Sequence, residues 1–297
     1  VPVLAPLAPS ASYLVALGDG LVTGDGGPIA GGPVAEFGTA AEVDLHAPGI
    51  DGLAVEPAGP CVNVRFETDE PATATVTLAG DGLRQDVAAG AGARQFSLAA
   101  PLGAFPPATA LELTVAVRDR AGNTAASPAV PLTTPAGLLP LAITEVHANA
   151  AGPEPAQEFV EIRNLGGAPV ELGAVAIADA RGMDLLPAGT LASGAYALIV
   201  PSGFDAAAAA GLGLGGGTPL VRVDARIGGD GLGNSGEVTE LRAVADGALI
   251  SGYRFPVDVS AAGWSGKSVH RVPEDACDQQ ASWTRAPADA TPGRGPP

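Results

Sequence analysis

A chain of 297 residues with a formal net charge of −17 and a single lysine, Lys267, has no basic stripe to displace counterions from phosphates, so nucleic acid is excluded as a partner. The same charge disfavours an anionic membrane surface, and no apolar run approaches the ~20 residues of a membrane-spanning helix. Hydrophobic residues at 46% against charged ones at 16% exclude a disordered polymer, and 42 glycines with 28 prolines punctuate short apolar runs. That is the pattern of an all-β protein, long enough for two ordinary domains.

Residues 1–39 open with a Pro-rich, extended arm, Val1 to Ser10, followed by strands at Tyr13–Leu17 and Val34–Thr39 around a Gly/Asp-rich connection. This stretch resembles the last hairpin of a bacterial immunoglobulin-like domain. A lone hairpin is marginal in water, so it is expected to be the remnant of an upstream domain, to pack on the next one, or to pair with another chain.

Residues 40–135 carry short strands at Val62–Glu67, Thr73–Leu78, Arg94–Leu98, Leu111–Asp119 and Ala129–Thr133, separated by Gly/Pro/Asp clusters. About seven strands in roughly 100 residues fit an immunoglobulin-like or fibronectin-III-like sandwich. Val115 to Thr124, VAVRDRAGNT, is similar to the F–G hairpin of bacterial domains of that kind, with Asp119, Gly122 and Asn123 at its turn. Thr134 to Gly137 is the natural linker.

Residues 138–297 begin with Leu141 to Gly166, two strands around a Pro/Gly-containing loop. Leu141, Ile143 and Glu145 alternate with Ala142, Thr144 and Val146, and Phe159, Glu161 and Arg163 with Val160, Ile162 and Asn164. Further strands are expected at Val170–Ile177, Ala195–Val200, Leu220–Val223, Val238–Val244, Ala248–Phe255, Ser268–Val272 and near Trp283, with a two-residue turn at Asp246–Gly247 and a short helix at Phe204–Ala210.

The segments ITEVHAN, EFVEIRN and PVELG, then GKSVHR at Gly266 to Arg271, Trp283 and TPG at Thr291 to Gly293, resemble in order and spacing the lamin-tail domain, an immunoglobulin-like β-sandwich. The likeness covers the C-terminal half and departs from the family at Ala174, where many members carry Trp. It implies tandem immunoglobulin-like β-sandwiches preceded by an N-terminal hairpin or extended arm, in a bacterial protein that is secreted or exposed at the cell surface. Lamin tails have been linked to chromatin, a role this net charge opposes.

No catalytic constellation emerges. Gly263 to Ser268, GWSGKS, lacks the first glycine of a phosphate loop at Ala261 and leads into a strand rather than a helix. Gly233 to Gly236 lacks the spacing of a serine nucleophile's elbow. His46, His147 and His270 are the three histidines; His147 and His270 could approach, but each reads as an ordinary strand residue.

Calcium is the cofactor the sequence can accommodate. Asp224, Asp230, Asn234 and Glu237 cluster in a Gly-rich loop that can supply several hard oxygens, against the plainer reading of a polar turn. Glu145, Glu154, Glu158 and Glu161 form a second acidic group, read as a solvated face. Trp264, Trp283 and Tyr253 could line a glycan platform or fill a core. Cys61 and Cys277, the two cysteines, are either one disulfide or two buried thiols. Open sandwiches carry free edges, so a protein partner or self-assembly through those edges is expected, with the Pro-rich arm as one strand donor. The reading is a non-enzymatic structural, adhesion or assembly module; the alternative is a carbohydrate- or calcium-binding module appended to a larger protein or enzyme.

Overall fold

The computed structural model describes residues 8–18, 20–24, 26–39, 42–214 and 217–296. Most of the Pro-rich arm, residues 1–7, lies outside the described residues. The protein is almost all β, and among the described residues no helix is long and apolar enough to cross a membrane.

Strands β1 (Ser12–Leu17) and β2 (Gly32–Gly38) form an antiparallel hairpin with a bulge between Val15 and Ala16. Tyr13 stacks on Phe37 with ring centroids 5.6 Å apart. The hairpin is a two-stranded sheet of its own, and Leu14, Val22, Val34 and Phe37 remain exposed on it.

The second unit is built from β3 (Ile50–Ala58), β4 (Cys61–Gly80), β5 (Leu83–Pro101), β6 (Ala110–Arg118), β7 (Thr124–Ala126) and β8 (Val130–Thr133). β4 and β5 form one long hairpin, and register shifts around Ala72 divide it into two halves. The first half of β4 lies between β3 and the end of β5, and its second half lies between the start of β5 and β6, which also pairs with β7 and β8. Alternate residues Val62, Val64 and Phe66 from one half and Ala74, Val76 and Leu78 from the other close a single core with Leu113 and Val115 of β6. Phe66 stacks on its cross-strand partner Phe96 at 4.6 Å.

Two expectations change here. The separate strands at 62–67 and 73–78 are one bulged strand, and β5 starts at Leu83 rather than Arg94. Its Ala/Gly run reads as a loop because it lacks β-branched residues, but a glycine is what the bend requires. Gly90 has φ +63°, and a Cβ there would lie 2.7 Å from the Phe96 ring.

The linker is docked. Thr134 Oγ1 donates to Pro106 O at 2.7 Å and accepts from Thr109 N at 2.8 Å. Leu138 is buried in the core of the second unit, while the next residue, Leu139, packs against the core of the third.

The third unit comprises β9 (Leu141–His147), β10 (Phe159–Asn164), β11 (Val170–Glu171), β12 (Val175–Ala178), β13 (Met183–Leu185), β14 (Thr190–Leu191), β15 (Tyr196–Val200), α1 (Ala206–Ala210), β16 (Leu220–Arg222), β17 (Thr239–Ala243), β18 (Leu249–Tyr253), β19 (Lys267–His270) and β20 (Ala288–Asp289). One sheet runs β16-β15-β10-β9-β19-β20 and the facing one β13-β12-β17-β18. Ile143, Val160, Ile162, Ile199 and Val269 of the first pack on Val175, Ile177, Leu241 and Ile250 of the second. The turn expected at Asp246–Gly247 is a longer connection, residues 244–248, in which Asp246 Oδ1 accepts from Ala248 N at 3.0 Å.

The first sheet is covered on its other face too. Phe204 and Ala209, at the short helix, and Ala290 of the C-terminal segment pack over Phe159, Leu198 and Val200. Five helical residues nucleate poorly alone, so this packing is what holds α1.

The bend in β5 gives a direct test. Gly90→Val must take a positive φ and displace Phe96, and is expected to cost about 1–3 kcal/mol against a few tenths for an ordinary surface change. The urea midpoint of the second unit measures it.

Candidate functional site

The loop chosen for calcium does not gather its four residues. Asp230 pairs with Arg181, Asn234 Nδ2 donates to Glu154 Oε2 at 2.9 Å, and Glu237 Oε2 accepts from Gly233 N at 3.0 Å. Asp224 is exposed, and its carbonyl accepts from Ser202 N at 2.8 Å. Among the described residues, acidic and histidine donors converge elsewhere, at Asp44, Glu70 and Asp119 and at His46, Asp69 and Glu70 on the second unit. Asp119 serves its own turn there. Its Oδ1 accepts from Gly122 N at 2.6 Å and Asn123 N at 2.9 Å, closing the turn as its sequence suggests.

The aromatic platform is a core. Trp264, Trp283 and Tyr253 are buried, with the Tyr253 and Trp283 rings meeting edge-on at 4.6 Å. Trp283 Nε1 donates to Asp278 Oδ1 at 2.7 Å.

Of the second acidic group, expected as a solvated face, only Glu154 is exposed. Glu145, Glu158 and Glu161 are buried. For Glu145 the cause is a bulge in β9: Glu161 faces Glu145, but the next residue, Ile162, faces Ile143, so Thr144 is the extra residue. The bulge moves Glu145 off the face of Leu141 and Ile143 and sets it beside Glu161 under the C-terminal segment. His270 of β19 flanks Glu145 on its other side, with Nδ1 3.8 Å from Oε2.

The C-terminal segment is strapped to these carboxyls. Thr291 N donates to Glu145 Oε1 at 3.1 Å, Gly293 N to Glu161 Oε2 at 2.6 Å, and Thr144 Oγ1 to Glu161 Oε1 at 2.7 Å. Burial, and then the neighbouring Glu161, push Glu145 up to about 8 despite those donors. Burial likewise pushes Glu161 up to about 7 and Glu158 up to about 8. His270 Nε2 lies 3.0 Å from the Asp289 carbonyl, which can only accept, so that nitrogen carries the proton. Its Nδ1 lone pair, without a hydrogen-bond partner, faces Glu145, where a protonated carboxyl is the matching donor. His147 Nδ1 lies 3.1 Å from Lys267 O, and burial drives its pKa down to about 4.

The junction between the second and third units holds the other gathering of functional groups. Cys61, at the start of β4, and Cys277 are joined in a disulfide with Cα atoms 6.0 Å apart and a sequence separation of 216. Beside it lies a cleft of about 590 Å³, lined from both units by Arg65, Arg254, Arg271, Phe255, Asn63 and Asp278, among others. Arg65 and Arg254 escape sequence reasoning because isolated arginines in unrelated strands carry no pattern. Arg271 is visible in the sequence only as the last residue of GKSVHR. No family model matches the chain, and neither a curated protein nor a solved structure does.

The buried carboxyls set a pH dependence. A carboxyl whose folded pKa is raised above 4.5 contributes stability that is complete below that value and is lost as pH rises through its folded pKa. His147, depressed from 6.5, contributes fully above 6.5 and loses its contribution as pH falls towards 4. Between about pH 6.5 and pH 8.5 the carboxyls therefore dominate, and the melting temperature is expected to fall. Glu145→Gln, neutral and nearly isosteric, should flatten that fall; a slope unchanged in the variant would show that Glu145 does not titrate there.

Proposed function

We propose that residues 40–135 and 138–297 are tandem immunoglobulin-like sandwiches, the second of lamin-tail type, and that the chain is a non-enzymatic structural or adhesion module of a secreted or cell-surface bacterial protein. The observation that carries this reading is the Cys61–Cys277 disulfide between the two units. Disulfides persist in oxidising, extracellular settings, and a tie of this kind turns two beads on a linker into one rigid spacer. Supporting the immunoglobulin-like part is the strand pairing of the second unit, with β3, the first half of β4 and the end of β5 on one side of the bend and the start of β5, the second half of β4, β6, β7 and β8 on the other.

Assembly through edges is part of the proposal. β13 is one of the two edges of its sheet, and its Met183 and Leu185 are 59% and 60% exposed. An edge strand with apolar side chains and unpaired backbone groups is a template for a strand from another chain.

Two measurements test this reading. Cys61→Ser with Cys277→Ser is expected to lower stability by about 2–5 kcal/mol and to broaden the interdomain distances seen by small-angle scattering. A scattering curve unchanged by the loss of both cysteines would remove the rigid-spacer role. Light scattering over a concentration series is expected to show self-association that weakens in a Met183→Glu/Leu185→Lys variant; a monomer throughout would remove the assembly role.

A further inference from the structure

The cleft beside the disulfide is where an otherwise acidic chain concentrates positive charge. Three arginines line it against one carboxylate, in a protein of net charge −17. The carboxylate, Asp278, is already engaged by Trp283 Nε1 at 2.7 Å and Arg254 N at 2.9 Å. Arg254 Nε lies 3.3 Å from Glu240 and Arg65 Nη1 3.8 Å from Glu56, and both arginine side chains are more than half exposed, so solvent weakens those pairs.

Arg271 is different. Its guanidinium is buried over the Trp283 ring, 4.7 Å from the centroid. Its Nη1 donates to Ala276 O at 2.9 Å, and its Nη2 to Gly252 O and to Ser251 Oγ at 3.3 Å, all neutral acceptors. Its Nε–H has no acceptor, and the carboxylate whose charge acts on it, Asp278, does so from beyond ion-pair distance. Neutral oxygens and the more distant charge of Asp278 leave the buried guanidinium incompletely compensated, and an anion in the cleft adds to that compensation.

The remaining walls restrict which anion fits. Phe255 lines the cleft and is 43% exposed, presenting an aromatic ring to a ligand's apolar face. Asn63, Gln279 and Gln280 bring side-chain amides, each able both to donate and to accept. A planar carboxylate matches the arginine fork, hydroxyls match the amides, and a ring face matches Phe255. The cleft's volume of about 590 Å³ falls in the usual range for small-ligand sites.

We propose that this interdomain cleft binds an acidic sugar, with its carboxylate directed to Arg271, Arg65 and Arg254 and its ring against Phe255. This goes beyond the structural role above and does not depend on it. The site would also be absent from either unit alone, because each contributes one wall.

The test is isothermal titration and saturation-transfer NMR on the intact, oxidised chain, with sodium glucuronate as probe and glucose, sodium acetate and sodium sulfate as comparisons. Saturable glucuronate binding is expected, with each comparison at least about tenfold weaker. Because Arg271→Gln can disturb the Trp283 core, the deciding variants are Arg65→Gln/Arg254→Gln and Phe255→Ala, whose exposed side chains leave the fold intact. The arginine pair is expected to weaken binding about tenfold and Phe255→Ala several-fold, with thermal transitions unchanged. Absence of saturable glucuronate binding, affinity for glucose or sulfate equal to that for glucuronate, or full affinity in both variants would each overturn the proposal.

Discussion

The relation between the two large units depends on their being joined twice. One join is the docked linker, where Leu138 lies in one core and Leu139 reaches the other; the second is the disulfide. A single covalent connection leaves rotation about the linker bonds, and interdomain motion is the default in such chains. The second tie removes it, and in the chain-entropy picture closing a loop of 216 residues restricts the unfolded ensemble by about 5 kcal/mol. The arginine-lined cleft is a consequence, since its walls come from both units and keep their spacing only while both ties hold.

Within the third unit the comparable constraint is one extra residue in β9. Without Thr144 as a bulge, Glu145 would point into the apolar core with Leu141 and Ile143. With it, Val146 takes the core position, and Glu145 joins Glu161 and His270 in a row that the C-terminal segment covers. Two carboxyls side by side cannot both be ionised cheaply away from water. Their raised pKa values and the backbone N–H groups of Thr291 and Gly293 are two parts of one solution. The C-terminal segment is thus pinned by polar groups, which specify its position, rather than by the few apolar atoms of Ala290.

What the sequence could reveal follows the range of each interaction. The all-β class, the strands at 111–119, 159–164 and 195–200 and the turn built on Asp119 rest on periodicity or on side chains a few residues apart, and these were legible. Ala72 and Thr144 interrupt that periodicity with ordinary residue types, so both bulges stayed hidden, and with them the burial of Glu145. The Ala/Gly stretch before Arg94 reads as a loop because small residues lack strand propensity, whereas its conformation is set by Phe96 packed against Gly90. The pairing of Cys61 with Cys277 and the meeting of Arg65 with Arg254 and Arg271 are tertiary facts, to which sequence separation gives no clue.

The charge distribution joins these observations. A net charge of −17 makes a long-range field that repels acidic molecules, this chain included, and favours a soluble and dispersed surface. Salt reduces that field to a range of about 8 Å at physiological ionic strength, while a buried guanidinium is screened far less. At contact distance the local groups therefore decide, and beside the disulfide three arginines line the cleft against one carboxylate. The buried one of the three, Arg271, is fixed by Trp283 and by carbonyls of the third unit before any ligand arrives. An acidic ligand would meet a preorganised charge, and little of its binding energy would be spent on ordering the site.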